Sequence, residues 1–342
     1  MDAIYLSSPG IKLPGAKWTN DDQLAKVREH FRGTDKEWKA VERRLNFVFR
    51  LCSSDERYYE PDVEHNIADY AVWASQVCLE AAGVEATDLD MLINGSVARE
   101  YFEPATAMEI GAKLGLEEVH AFDVTSACAG LLQGVHIANA FMCMYGDVER
   151  ALVCAADLTK GRISYDVQSK QDVQYRAAGL TIGDGASAFV VSRSPLRNGG
   201  RILGMLSESL PQHYHLCSAP VGGSFSSLSG DLFKLHKHMP DHVRRLLEKC
   251  GKTPADVDHW ICHQPSDSVV IKIMEDLEVD LERAPLCHGV FGNTINSTVP
   301  MTLDYTLQHK EVKPGDLLLL SSAAAGFMMV SLLLEWGADT EE

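Results

Sequence analysis

The sequence predicts an α/β protein in which buried strands and helices alternate along the chain. Short, continuous apolar runs are typical of strands that are covered on both faces. They lie at residues 91–93, 151–155, 188–191 and 317–320. Residues 66–82 and 130–145 have the length and pattern of helices. This alternation favours helices layered on a sheet.

An internal repeat indicates that the architecture consists of two similar halves. Residues 88–93 resemble residues 256–261, and residues 146–153 resemble residues 315–322. The two matches occur in the same order and at nearly the same offset, which is typical of a duplicated unit. Each half is therefore predicted to run helix, buried strand, loop, helix, buried strand.

The polar stretch 192–200, which contains Pro195 and a Gly-Gly pair, is the predicted junction between the halves. The N-terminal half then spans residues 1–195 and the C-terminal half spans residues 196–342. Residues 34–59 fit no repeat and are predicted to form a cap inserted over a pocket.

The composition restricts the classes of partner. The chain has 342 residues, of which 46% are hydrophobic, and a formal net charge of −17. Nucleic acids and anionic membranes require clustered Lys and Arg, so neither is an expected partner. The nearest candidate for a basic patch is Arg244, Arg245 and Lys249, for which a solvated helix face is the favoured interpretation.

Nine cysteines without paired spacing indicate reduced thiols, so we expect a cytoplasmic protein. No export leader and no membrane span is evident in the sequence.

Cys128 is the first candidate catalytic residue. It lies in Ser-Ala-Cys-Ala-Gly between a predicted strand that ends near Val124 and a predicted helix. A cysteine at a helix N-terminus experiences the positive end of the helix dipole, which favours the nucleophilic thiolate. The small neighbouring residues leave space for an acyl chain. A buried structural cysteine is the alternative.

His263 and Asn293 are the next candidate catalytic residues along the chain. His263 directly follows the apolar run that begins at Trp260, and Asn293 follows Gly292 in a predicted loop. Each residue alone is more often structural. Together with Cys128 they form a constellation in which the histidine and the asparagine donate hydrogen bonds to a thioester carbonyl as its enolate forms.

On these residues the sequence resembles the β-ketoacyl-[acyl carrier protein] synthase III branch of the thiolase superfamily. Further motifs of that family follow in order. They are Gly183-Asp-Gly-Ala, His263-Gln, Gly292-Asn-Thr, Lys313-Pro-Gly-Asp and Ala325-Gly-Phe. The resemblance implies the thiolase fold, in which duplicated α/β halves form a layered αβαβα sandwich.

The resemblance also implies residue roles and partners. Cys128, His263 and Asn293 take the catalytic positions, and the main-chain N–H groups of Cys128 and Gly326 take the oxyanion positions. The implied enzyme is a homodimer that needs no cofactor and uses acyl thioesters of coenzyme A (CoA) or of an acyl carrier protein.

Several residues depart from the family pattern. Trp38 is not followed by the Arg-Thr-Gly that grips CoA in housekeeping members, and no arginine follows His263 where the family uses one in carrier docking. The loop before Gly326 is also poorer in glycine than is usual. We therefore expect altered donor and acceptor recognition, and a role in specialised or polyketide metabolism rather than in fatty-acid initiation.

Glu103 occupies a position where initiation enzymes carry phenylalanine. In a subset of relatives that joins two acyl chains head to head, a glutamate at this position crosses the dimer interface and is thought to remove an α-proton. A plain acyl thioester needs such a base, whereas a malonyl group reacts by losing CO₂. The alternatives are that Glu103 is a surface residue and that Phe102 lines the pocket.

The predicted function is a Claisen condensation between an acyl group on Cys128 and a second acyl or β-ketoacyl thioester. The alternatives are decarboxylative condensation with a malonyl thioester, and transfer of the acyl group to an alcohol or amine. Asn293 is retained, which favours condensation because only an enolate needs its amide. A non-catalytic partner subunit is disfavoured because Cys128 is intact.

Overall fold

The apolar runs predicted as strands form the centre of the computed structural model, which describes residues 3–60, 64–159 and 161–339. The strands are β1 Tyr5–Ser7, β2 Gly10–Lys12, β3 Ala16–Thr19, β4 Glu56–Tyr59, β5 Met91–Asn94, β6 His120–Asp123, β7 Arg150–Asp157, β8 Gly185–Ser192, β9 Gly199–Ser209, β10 Cys217–Ser218, β11 Ser226–Ser227, β12 His259–Cys262, β13 Leu317–Ala324 and β14 Met328–Trp336. The helices are α1 Asn20–His30, α2 Asp35–Cys52, α3 Ile67–Ala82, α4 Thr106–Lys113, α5 Gly130–Met144, α6 Lys170–Arg176, α7 Ser229–Phe233, α8 His238–Lys249, α9 Asp267–Leu277, α10 His288–Phe291 and α11 Thr298–His309.

The main sheet has the same strand pattern in its two halves. Its order is β12-β13-β14-β9-β1-β8-β7-β5-β6, and β2 also pairs with β8. In the N-terminal half β5 runs parallel to β7, and β7 is antiparallel to β8. In the C-terminal half β12 runs parallel to β13, and β13 is antiparallel to β14. The repeated segments of the sequence therefore include the equivalent strands β5 and β12.

The predicted junction after residue 195 lies in the connection from β8 to β9. The sheet itself continues across this point, because β1 pairs with both β8 and β9. The domain boundary stays a prediction.

The core is layered, with helices between and outside the two half-sheets. Alternate residues of a strand face opposite sides, so Ile93 and Val153 pack beside α5, while Leu92 and Leu152 pack beside α3. The core around α5 and α11 also contains Leu320 and other residues of the second half-sheet. Helices α8 and α9 cover the outer face of that half-sheet. This arrangement agrees with the predicted αβαβα sandwich.

Helix α5 is the central helix of the fold. The segment Ala127–Met144 is long and apolar enough to cross a membrane by length and composition alone. In the fold its apolar character has another explanation, because Leu131, Val135, Ala138 and Met142 are fully buried in the core.

The predicted cap lies outside the main sheet. Residues 34–59 form α2 and β4, and β4 pairs with β3 in a separate two-stranded sheet. Val41, Leu45 and Phe49 of α2 pack against α1 and α6 in their own core cluster. The independent segment therefore begins earlier than predicted, at β3.

Candidate active site

Cys128 lies in a sharp turn between β6 and α5. A one-turn 3₁₀ helix, Ala127–Ala129, directly precedes α5. Ala127 has a φ of 45°, a left-handed conformation that non-glycine residues rarely adopt. The Ser322 hydroxyl of β13 donates a hydrogen bond of 3.1 Å to the carbonyl of Cys128. The turn is thus held from both halves of the fold.

The Cys128 thiol does not have the lowered pKa that the sequence led us to expect. Burial raises its pKa, and the nearby Cys217 and Asp157 raise it further. The Cys128 N–H, which lowers the pKa, does not outweigh these effects. Desolvation therefore outweighs the effect of the helix N-terminus, and the resting side chain of Cys128 is a neutral thiol.

His263 directly follows β12, as predicted. Its main-chain N–H donates to the carbonyl of Ser321 at 2.7 Å, so it continues the β12–β13 ladder. The side chain is buried, and its Nδ1 has no hydrogen-bond partner within the described residues. Burial, together with His288, lowers the pKa of His263 to about 3. The imidazole is therefore neutral at physiological pH, with one N–H to donate.

Asn293 lies in the loop between α10 and α11. Its main chain is fixed by two hydrogen bonds, to the Thr181 carbonyl at 2.9 Å and from the Gly183 N–H at 3.1 Å. The side-chain oxygen accepts the N–H of Ile295 at 3.0 Å. The amide NH₂ is therefore the part of the side chain that is available to donate to a ligand.

Hydrogen bonds bring the segments of these three residues together. Neighbouring residues of β13, Ser321 and Ser322, contact His263 and Cys128 respectively. The Gln264 side chain accepts the N–H of Cys287 at 2.7 Å, which ties the histidine loop to the loop before Asn293. The structure thus brings together the predicted constellation at one end of the strands, while the catalytic roles stay predictions.

A buried Asp157–Asn296 pair positions the nucleophile turn, and the sequence analysis missed it. The Asn296 amide donates to Asp157 at 2.9 Å, and its oxygen accepts the N–H of Leu131 at 3.1 Å. Asp157 also accepts the N–H groups of Val97 and Ala98. Burial raises the pKa of Asp157. The only sequence signal was a second asparagine three residues after Asn293.

Gly326 lies at the tip of the β13–β14 hairpin, beside the strand end that contacts Cys128. It has a φ of 79°, and a side chain added there would meet no other atom within 4 Å. The space on the side where a Cβ would lie is therefore open, at the position to which the family resemblance gives an oxyanion role. That role stays a prediction.

Glu103 is exposed in the single chain, and the neighbouring Phe102 is 76% exposed. The partly buried carboxylate expected of a base is therefore not present within one chain. The segment is nevertheless anchored, because Asp123 of β6 accepts the N–H groups of Thr106 and Ala107, both at 2.9 Å, just beyond it.

Cys217 is a second residue near the nucleophile that the sequence analysis did not single out. It lies in the β10–β11 hairpin and is partly buried. Its influence on the pKa of Cys128 puts the two thiols within electrostatic range. The Ser- and Gly-rich segment 220–230 includes β11 of this hairpin.

The chain is similar to condensing enzymes of known sequence and structure. Residues 122–209 match the family 3-oxoacyl-[acyl-carrier-protein (ACP)] synthase III, and residues 247–336 match the C-terminal region of the same family. The chain is 30% identical over 280 residues to beta-ketoacyl-[acyl-carrier-protein] synthase III of Laribacter hongkongensis, covering 79% of this chain and 84% of that protein.

Solved structures are similar over nearly the whole chain. The crystal structure of 3-oxoacyl-[acyl-carrier-protein] synthase III from Aquifex aeolicus has a TM-score of 0.83 at 25% identity, with 97% of this chain and 99% of that chain covered. OleA of Xanthomonas campestris, solved with bound lauric acid and lauroyl-CoA, has a TM-score of 0.88 at 20% identity, with coverages of 98% and 99%. At that identity the OleA match supports the fold alone, and the fold class is confirmed.

Proposed function

Because this chain belongs to the β-ketoacyl-[acyl-carrier-protein] synthase III family of acyl-transferring condensing enzymes, we propose that it joins two acyl groups by Claisen condensation. One acyl group is carried on Cys128, and the second is a plain acyl or β-ketoacyl thioester in specialised or polyketide metabolism. The observation that carries the proposal is that the Cys128 and His263 segments bond to neighbouring residues of β13, while Gln264 ties the histidine loop to the segment before Asn293.

The first half-reaction loads the enzyme. The Cys128 sulfur attacks the thioester carbonyl of the donor, and the donor's thiol leaves with a proton. The developing oxyanion accepts hydrogen bonds from the N–H groups of Cys128 and Gly326.

The second half-reaction forms the carbon–carbon bond: the α-carbon of the second thioester attacks the carbonyl of acyl-Cys128, the carbon–sulfur bond breaks, and the Cys128 sulfur leaves and regains a proton. Loss of an α-proton from the second thioester gives an enolate, whose oxygen accepts hydrogen bonds from His263 and Asn293. The neutral state of His263 supports this role, because a neutral imidazole donates one hydrogen bond without the cost of burying a charge.

Glu103 is the proposed base for the α-proton, and it acts in a homodimer. The strand β6 is the edge of the sheet, and Phe102, Met144 and Tyr145 expose apolar surface. A second copy that covers this edge would bury the Glu103 segment. Free cysteines support a cytoplasmic location for the dimer.

Decarboxylative condensation is the second candidate, and the exposure of Glu103 favours it. An exposed carboxylate is poorly placed to remove a C–H proton, whereas a malonyl thioester needs no such base. In that case Glu103 either lines the acyl site or is a surface residue, and it takes no part in proton transfer.

Intact-mass spectrometry distinguishes the two candidates. The enzyme is incubated with a panel of acyl-CoA thioesters, and Cys128→Ala is the control that must stay unmodified. Clearance of the acyl-enzyme by a second plain acyl or β-ketoacyl thioester supports the proposal. Clearance only by malonyl-CoA, with loss of CO₂, establishes the decarboxylative reaction. The absence of any acyl-enzyme contradicts both.

A further inference from the structure

The exposed face of α2 carries a concentration of positive charge in an otherwise acidic protein. Lys36, Lys39, Arg43, Arg44 and Arg50 are all exposed, and their spacing places them on the side of the helix opposite the buried Val41, Leu45 and Phe49. Phe47 and Leu51, which are 46% and 57% exposed, lie on the same side. We call these seven residues the α2 face.

The cations of the α2 face are unpaired. Within residues 3–60, 64–159 and 161–339, none of the five forms an ion pair with a carboxylate. By contrast, two of the three cations in the basic group considered from the sequence form ion pairs, because Arg244 pairs with Asp241 and Arg245 pairs with Glu208. The basic residues of α8 are therefore explained as a solvated helix face with ion-paired cations. The same explanation does not fit the unpaired cations of α2.

The α2 face also contains a depression. Lys39, Arg43, Asn46 and Arg50 line a surface hollow of about 370 Å³, and Glu42 is its single acidic wall residue. Arginine and aromatic side chains are enriched in protein interfaces, whereas isolated surface lysines are not. Arg43, Arg50 and Phe47 give this surface the composition of a docking site.

The C-terminal end of α2 lies against the catalytic loops. Ser53, which caps the helix, lies beside Gly289 of α10, the short helix that precedes Asn293. Ser53 also hydrogen-bonds with Asp267, which lies four residues after His263. A partner bound along α2 would therefore be adjacent to the active-site loops.

We propose that the α2 face is the docking surface for an acidic acyl carrier protein that delivers acyl groups to Cys128. This proposal rests on the proposed function and names the partner of that same site. The positive face is complementary to an acidic partner, and charge complementarity of this kind accelerates association. The α2 face would provide the positive charge for carrier docking that is missing from the segment after His263.

A membrane surface fits the same face less well. The apolar side of α2 is buried against the protein, so only Phe47 and Leu51 could enter a lipid interface. Amphipathic helices that bind membranes present a continuous apolar face instead.

The test compares two donors of the same acyl group. Acylation rates of Cys128 are measured by rapid-quench mass spectrometry with octanoyl-CoA and with an octanoyl-loaded bacterial acyl carrier protein. The triple variant Lys39→Glu, Arg43→Glu, Arg50→Glu should lose about ten-fold or more in the rate from the carrier, because steered association depends on charge. Its rate from octanoyl-CoA should stay within about two-fold of wild type, because no altered residue belongs to the catalytic machinery.

Two controls accompany the triple variant. The charge-conserving variant Lys39→Arg, Arg43→Lys, Arg50→Lys should keep the wild-type carrier rate. Arg197→Glu reverses an exposed charge in the β8–β9 connection, at the opposite end of the strands from Cys128, and should also have no effect.

Four outcomes overturn the docking proposal. They are an unchanged carrier rate in the triple variant, an equal loss with both donors, a wild-type enzyme that accepts only octanoyl-CoA, and charge-dependent cosedimentation with anionic vesicles without any effect on the carrier rate. Failure of the wild type to be acylated by either donor contradicts the proposed function itself, so the two failures are distinguishable.

Discussion

At the scale of single residues, the site combines a neutral thiol with a neutral imidazole. Burial favours the uncharged form of both Cys128 and His263, because each would lose the hydration of its charge. An acyl thioester is itself neutral, so a pocket that excludes charge suits the acyl-enzyme better than it suits a free thiolate. The thiol proton must then leave during the attack.

The raised pKa of Cys128 predicts slow alkylation at neutral pH. A free thiol titrates near pH 8.5, so its reaction rate levels off at about pH 9.5. Because the pKa of Cys128 lies above its usual value, the thiolate fraction at pH 7 is smaller, and the rate should still rise above pH 9.5. Peptide mass spectrometry after timed exposure to iodoacetamide measures this rate. The exposed Cys143 is an internal reference, and faster labelling of Cys128 at pH 7 would contradict the prediction.

Replacement of Glu103 separates the two candidate reactions. If Glu103 removes the α-proton, Glu103→Gln should lower the rate of condensation of plain acyl thioesters by about 100-fold or more, because general-base catalysis contributes at least that factor. Acylation of Cys128 should persist, as shown by intact mass. The neighbouring exposed Glu100, changed to Gln, is the matched control. Condensation within a few-fold of wild type would exclude Glu103 as the base.

At the scale of elements, the Asp157–Asn296 pair joins the end of β7 to the nucleophile turn. Asn296→Ala should remove the side-chain amide donor of the buried carboxylate and leave only the main-chain N–H of residue 296, at a cost of about 1–3 kcal/mol in the free energy of unfolding. Both half-reactions should slow, because the Leu131 N–H also loses its acceptor. Urea denaturation and acylation rates measure the two effects.

A second variant tests whether the pair acts as a unit. Asp157→Asn should cause a similar loss, and the double variant should be little worse than either single variant. Additive losses would mean that the two side chains act independently.

The elements show which parts of the structure are readable from sequence. The runs at 151–155 and 317–320 became β7 and β13 because continuous apolar residues are stable only when a strand is covered on both faces. Asn66 caps α3 one residue before the helix, so the predicted start was close. The predicted cap began too late in the sequence, because α1 is mostly polar and its few buried residues give only a weak helical periodicity.

The active site was readable only in part, for a physical reason. Cys128 and His263 each follow a strand end, and Asn293 follows a glycine in a turn, so a local pattern marks all three. The Asp157–Asn296 contact joins residues that are distant in the chain, so no local pattern predicts it. The predicted direction of the pKa shift of Cys128 was wrong. The position of the residue at a helix N-terminus is visible in the sequence, whereas its desolvation depends on the packing of both halves.

At the scale of the whole molecule, the unpaired edge of β6 predicts a dimer. The N–H groups of His120 and Val124 point to β5, so those of the alternate residues Ala121 and Asp123 point to the open edge. An exposed strand edge is a ready site for pairing with another chain. We therefore expect the wild type to sediment as a dimer.

Ala121→Pro removes one outward N–H without affecting the bonds to β5. Edge strands tolerate proline on the unpaired side, so the variant should fold but sediment as a monomer. If Glu103 acts across the interface, the monomer should load Cys128 and fail in condensation of plain acyl thioesters. Ala121→Ser, which keeps the N–H, is the control. A monomeric variant with full condensation activity would exclude a role for the second copy.

The strand order of the main sheet has a consequence for synthesis of the chain. Strands β6, β5, β7, β8 and β1 are complete once about residue 192 has emerged, whereas the serine pair that contacts Cys128 and His263 lies in β13, near the C-terminus. We expect the first half-sheet to assemble while the ribosome is still translating the second half. Cys128, the predicted nucleophile, is therefore synthesised well before the residues that are predicted to act with it, and a product truncated after the first half carries the cysteine without them.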